Sequence, residues 1–189
     1  MAVRIPDWTA EGVLPPLDVG NPTGSNRAPY PVSLYDVVVR FGTTAERCSI
    51  LDGYLRHRAA LHANGYLAGF QWLDGSFMEE VETLEHRPPQ DIDVVSFVQA
   101  PVPASPAPGD VDALDHAASK ISFSVDSYFV ELEAVTPREV AFWSAYWYSM
   151  WAHRRNLAWK GFLQVDLAPA EDAAARHWLA QNAVPGAHP

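Results

Sequence analysis

From residue 44 to about 64 the apolar side chains recur at helical spacing, with Ile50, Leu51, Tyr54, Leu55 and Leu61 forming one stripe. Thr43-Thr44-Ala45-Glu46 ahead of it fits a capping box, with Thr43 as N-cap and Glu46 returning the hydrogen bond. Asn64-Gly65 supplies the stop, since both residues tolerate the left-handed conformation. The pattern then changes. Tyr66 to Leu73 is dense in aromatic and aliphatic residues and predicts a strand that closes at Asp74-Gly75-Ser76. Residues 77–86 fit a short helix, broken by Arg87-Pro88-Pro89-Gln90, and Asp91 to Val98 predicts a second strand. A short helix at about 110–119 comes next. Ile121 to Leu132 alternates, with Ile121, Phe123, Val125, Ser127 and Phe129 on one face and Ser122, Ser124, Asp126, Tyr128 and Val130 on the other. Thr136-Pro137-Arg138-Glu139 combines an N-cap Thr, Pro at the first helical position and Glu at the third. The helix it opens runs to about 153, and its broad stripe of Val140, Trp143, Tyr146, Trp147, Met150 and Trp151 is expected to be mostly core. Trp159 to Leu167 predicts another strand. Pro169, Glu171 and Asp172 open a last helix to about 182, where acids suit the positive end of the dipole.

Two stretches lack either period. Residues 1–33 carry Pro6, Pro15, Pro16, Pro22, Pro29 and Pro31, which predicts an extended arm with turns. Ile5, Trp8, Val13 and Leu14 would pack that arm onto the body. Residues 101–109 are rich in Pro and Ala and fit an exposed loop of polyproline character. The expected organisation is thus an arm over 1–33 and one domain over 34–189. The alternation of helix and strand predicts an α/β or α+β fold, a mixed central sheet with flanking helices.

Composition narrows the function. The chain has 189 residues, 48% of them hydrophobic, with 7 Trp, 7 Tyr and 8 Phe, which argues for a packed core and against disorder. Its formal charge of −10 disfavours extended nucleic-acid binding and anionic lipid surfaces. A single nucleotide remains compatible, because bound metal would supply positive charge. Cys48 is the sole cysteine, which excludes an internal disulfide and a cysteine-rich zinc site, and its helical surroundings predict a buried thiol. No secretory segment opens the chain and no apolar run is long enough to span a bilayer, so a cytoplasmic location without membrane contact is expected.

The chemistry concentrates in LDGSFMEEVETLEHRPPQDIDVV. Asp91 and Asp93 stand two apart on a strand and therefore project together. Adjacent carboxylates repel unless a cation neutralises them, and hard oxygen ligands suit Mg2+ or Mn2+. Gly75 would let a phosphate approach the backbone, and Ser76 offers a hydroxyl and free N–H groups to an anion. Positive groups for phosphate are Arg87, Lys120, Arg154, Arg155 and, as the preferred one, Lys160. None of His57, His62, His86, His116, His153, His177 and His188 pairs with metal-ligand spacing, and each reads as a surface or interface residue.

Gly75-Ser76 after a strand, Asp91-Ile92-Asp93 on the next, and Asp126 on a third resemble the nucleotidyltransferase superfamily that includes DNA polymerase β. The chain also looks like uncharacterised bacterial proteins with an Ile-Pro…Gly-Val-Leu-Pro-Pro arm and Gly-Ser-Phe before Asp-Ile-Asp-Val-Val. The superfamily resemblance covers about residues 66–132, the second most of the chain. It implies a nucleotidyltransferase-like fold and magnesium- or manganese-dependent transfer of a nucleotide from ATP or another nucleoside triphosphate to an acceptor. Asp91, Asp93 and Asp126 would be the metal-binding and catalytic residues, while Gly75, Ser76 and Lys160 would bind the nucleotide. Glu79 and Glu80 fall where active relatives often carry a base. Facing the site they would repel a triphosphate; as first-turn acids they would favour the helix dipole. That composition motivates an alternative, a catalytically inactive binding or regulatory module, antitoxin-like or defence-associated, with a protein partner.

Overall fold

Helix and strand alternate along the chain as β1 (Tyr30–Pro31), α1 (Leu34–Phe41), α2 (Ala45–Ala63), β2 (Gly69–Asp74), α3 (Val81–Leu84), β3 (Ile92–Val98), α4 (His116–Phe123), β4 (Val125–Glu131), α5 (Pro137–Trp151), β5 (Leu163–Asp166) and α6 (Asp172–Asn182). The computed structural model describes residues 4–101 and 110–182. Beyond Pro101, the proline-rich loop expected at 101–109 lies outside them, as does His188. The five strands form one mixed sheet in the order β1-β5-β2-β3-β4. β1 pairs parallel with β5 and β3 with β4, whereas β2 runs antiparallel to both neighbours. The fold is therefore mixed α/β, as the alternation predicts.

α1, α2 and α6 pack together, and α2 lies over the sheet face that carries Gln71, Leu73, Val94 and Ser96. Several polar side chains buried on that face are paired. The Tyr54 hydroxyl donates to Gln71 Oε1 at 2.7 Å, and Gln71 Nε2 donates to the Ser96 hydroxyl at 2.9 Å. Arg58, fully buried on α2, donates to both carboxylate oxygens of Asp172 and to the carbonyls of Asp166, Leu167 and Ala168. A side chain at Gly53 of α2 would run into the Phe123 carbonyl, so this glycine sets how closely α4 approaches.

The opposite face carries Phe70, Trp72 and Asp74 on β2. Phe70 stacks on Phe97 and Trp72 packs against Phe97 and Phe162. α5 covers part of this face through Trp147 against Tyr128 and Trp151 against Phe162.

Several local expectations need correction. The N-cap of α2 is Thr44, whose hydroxyl accepts from the Arg47 amide, rather than Thr43. α1, capped by Ser33, and the two-residue β1 within the arm have no counterpart in the sequence reading. Residues 77–86 divide into a 3-10 turn at Ser76–Met78 and the four-residue α3. The strand expected from Ile121 starts at Val125: α4 runs on to Phe123, and Ser124 takes the left-handed conformation that ends it. Ser122 and Ser124 therefore do not share a strand face with Asp126. The α5 capping box is present as read, but of its stripe only Trp147 and Trp151 are buried, while Trp143, Tyr146 and Met150 are exposed. Glu171 accepts from the Leu34 amide at the start of α1, and Asp172 answers Arg58, so both acids serve other elements besides their own helix. His57 is buried beside the Ala113 carbonyl, not on the surface, and burial pushes its imidazole down to about 4.

Candidate functional site

Strand register decides which carboxylates meet. Asp74 of β2 stands opposite Asp93 of β3, and Asp93 stands opposite Asp126 of β4. Direct cross-strand partners share a face, so these three acids form a row across adjacent strands. Asp91 precedes β3 by one residue and lines the same open cleft of about 920 Å3. Gly75, Ser76, Lys120, Arg154, Arg155 and Lys160 line it too, so all the sequence-predicted site residues come together in one place.

Internal cations neutralise much of the cluster. The Lys120 ammonium sits 2.7 Å from Asp91 Oδ2 and 3.1 Å from Asp126 Oδ2. Lys160 bridges a second pair, Asp74 Oδ2 at 3.0 Å and Glu79 Oε1 at 2.9 Å. Lys160 is buried and committed to these acids rather than free for phosphate. Glu79 faces the cleft and is buried there, where it also meets Arg154 at 2.8 Å. His116, one helical turn before Lys120 on α4, places Nδ1 3.1 Å from Asp126 Oδ1, out of line for a hydrogen bond, and 3.1 Å from the Ser127 carbonyl.

Asp93 has no such cation in direct contact among the described residues. Burial and the negative charges of Asp74, Asp91 and Asp126 push its carboxyl up to about 7, against the pull of Lys160. Burial pushes Asp74 up to about 6, again opposed by Lys160. Burial and the Asp126 carboxylate raise the Tyr128 phenol to about 12. Hydrogen bonds to Asp91 and Asp126 raise Lys120 and keep it charged. Opposed carboxyls whose affinities for protons are driven apart or upward are what a bound cation would relieve.

The turn beside the row is built for close approach. Gly75 holds φ at +85°, and a Cβ there would run into the Asp93 carboxylate, so the position requires glycine. Buried Arg47 of α2 fixes the segment that follows, donating to the Phe77 and Glu79 carbonyls at 2.6 Å and pairing with Glu82. Trp8 of the arm donates its indole N–H to the Met78 carbonyl at 2.7 Å, and Gly12 accepts from the Glu80 amide at 2.8 Å. The proline-rich arm thus braces the Gly75-Ser76 turn. Tyr128, Trp147, Met150 and Trp151 supply an aromatic and thioether side to the cleft.

Asp74 and Arg47 are site components that the sequence reading missed, whereas Glu79 takes the cleft-facing one of its two expected orientations. Asp74 immediately precedes Gly75, but only strand register, which one sequence does not fix, puts it beside Asp93. His57, His62, His86 and His177 lie outside the cleft lining, whereas His153 is part of it.

Among the described residues, no three His, Cys, Asp or Glu side chains are gathered so as to hold one metal ion. The Lys120 ammonium stands between Asp91 and Asp126, and the Lys160 ammonium between Asp74 and Glu79. The donor chemistry nonetheless fits a hard divalent cation. Every donor is a carboxylate oxygen, Asp74 Oδ1 and Asp126 Oδ1 are buried without a hydrogen-bond partner, and Lys120 shows that a cation is accommodated between Asp91 and Asp126.

Over residues 6–166 the chain matches the profile of a family of unknown function, DUF6932. The chain belongs to that family. The match takes in the arm from Pro6, all five strands and every residue of the carboxylate row, and it ends on Asp166, the last residue of β5. No curated protein and no solved structure matches the chain.

Proposed function

We propose that this chain transfers a nucleotide from a nucleoside triphosphate to an acceptor, with a magnesium or manganese ion held by Asp91, Asp93 and Asp126. The observation that carries this reading is the register that aligns Asp93 with Asp126, with Asp91 two residues away and the Gly75-Ser76 turn alongside. A bound divalent ion would neutralise the triphosphate and align its α-phosphate. The chain's own groups do the rest. Gly75, lacking a side chain, gives a phosphate room beside the backbone, and the Ser76 hydroxyl is an adjacent donor. Arg155, exposed at the rim, offers charge to the outer phosphates. Asp126 accepts the proton of the acceptor hydroxyl as its oxygen bonds to the α-phosphorus and pyrophosphate departs with the bonding electrons. Tyr128 and Trp147 give a planar base an apolar surface.

The test uses α-labelled ATP, GTP, CTP and UTP with Mn2+ and a panel of candidate acceptors. Wild type transfers label in a metal-dependent way, and the Asp91→Ala/Asp93→Ala variant loses at least about a hundredfold in rate. Absence of metal-dependent binding or transfer with every nucleotide contradicts the reading.

One observation favours the inactive binding module instead. Lys120 and Lys160 each bridge two acids, so four of the carboxylates are ion-paired without any metal. Under that reading Mn2+ titration gives no binding that depends on the three aspartates.

A further inference from the structure

We propose that Lys120 is a tethered occupant of the cation position, and that a divalent ion binds Asp91 and Asp126 only by displacing it. The inference rests on the metal reading above and goes beyond it by assigning what sets the site's affinity. Lys120 projects from the last turn of α4, six residues before Asp126, and the tight turn at Ser124 folds the helix end back over β4. Its ammonium touches one oxygen from each of two acids on different chain segments, the place a bridging cation would take.

The two lysines of the cleft differ in one decisive respect. Lys160 is 6% exposed at its side chain and bridges Asp74 and Glu79 from inside the protein. Lys120 is 51% exposed at its side chain, so its ammonium can exchange these acids for water without leaving a buried unpaired charge. Its flexible four-carbon stem allows the movement, and the helix keeps the group close by afterwards. An ammonium tethered at this distance acts as an intramolecular competitor with a high effective concentration. It lowers the apparent affinity for any free cation seeking the same oxygens. A singly charged group satisfies two carboxylates less completely than a divalent ion, so displacement is favoured once enough ion is present. The same contact keeps Asp91 and Asp126 from repelling each other when no ion is bound.

The experiment is calorimetric titration of the full chain with Mn2+ at fixed pH and salt, with melting curves recorded in chelator and in excess Mn2+. Lys120→Met binds Mn2+ roughly tenfold or more tightly than wild type, because the competitor is gone. It also melts lower than wild type in chelator and gains more from Mn2+. Lys120→Arg keeps the charge and stays within about threefold of wild type. Arg87→Met removes a positive charge from the same cleft without touching Asp91 or Asp126, and also stays within about threefold, which separates displacement from general electrostatics. Equal or weaker Mn2+ binding by Lys120→Met, with binding still abolished by Asp126→Asn, overturns the inference and leaves the metal reading standing. No Mn2+ binding by wild type or Lys120→Met overturns the metal reading and the inference together.

Discussion

Burial and three like-charged neighbours act on Asp93 in the same direction, and the consequence is a pH dependence of stability with a definite sign. Its carboxyl would ionise near 3.8 in the unfolded chain and does so near 7 in the folded one. Between those values the folded chain holds a proton that the unfolded chain has released. Stability from this group is therefore complete below the unfolded value, falls as pH rises through the window, and is gone above the folded one. Asp74 shifts the same way, to about 6, with Lys160 opposing. The Asp93→Asn variant removes the Asp93 contribution. In chelator, its melting temperature relative to wild type rises between about pH 4 and about pH 7.5. A difference that stays flat over that range means that Asp93 titrates as an ordinary carboxyl. Divalent ion reverses the comparison, since wild type then gains a ligand that the variant has lost.

At the scale of elements, a buried ion pair ties α2 to α6. Arg58 and Asp172 form a bidentate pair with both side chains buried or nearly so. Removing only the cation leaves Asp172 uncompensated, so Arg58→Met costs about 3–5 kcal/mol, measured by urea denaturation. A loss below about 1 kcal/mol, the range of an exposed pair, would contradict this assignment. Elements with strong local chemistry were legible in the sequence. Thr136, Pro137 and Glu139 announce α5, and Asn64-Gly65 ends α2 where expected. Elements decided by tertiary contact were not. Leu34–Phe41 is rich in β-branched residues, which weakens its helical signal, and it is held by Ser33 and by Glu171 from far along the chain. Ile121 and Phe123 extend the period-2 pattern of β4 backwards, yet Ile121 is 86% exposed on a helix. Two residues of helix end and a strand start cannot be told apart by alternation alone. The candidate acids were legible because Asp-x-Asp is a local pattern. Asp74 and the pairing of Lys120 and Lys160 with these acids were not, because only the register of β2, β3 and β4, the α4–β4 turn and the α5–β5 connection bring them together.

Over the whole molecule, these pieces converge on one cleft of an acidic α/β protein. The arm braces the turn after β2, α4 supplies Lys120, the α5–β5 connection supplies Arg154, Arg155 and Lys160, and three strands supply the aspartates. No helix among the described residues is long and apolar enough to cross a membrane. The net charge of −10 makes the carboxylate row more attractive to cations, while a polyanion would be repelled. The measurement that bears most directly on the central claim is anomalous scattering from crystals of the chain equilibrated with Mn2+. The account predicts a peak in direct coordination contact with oxygens of Asp91, Asp93 and Asp126, with the Lys120 ammonium moved out from between Asp91 and Asp126. A peak elsewhere on the molecule, or none at these acids under saturating Mn2+, would contradict it.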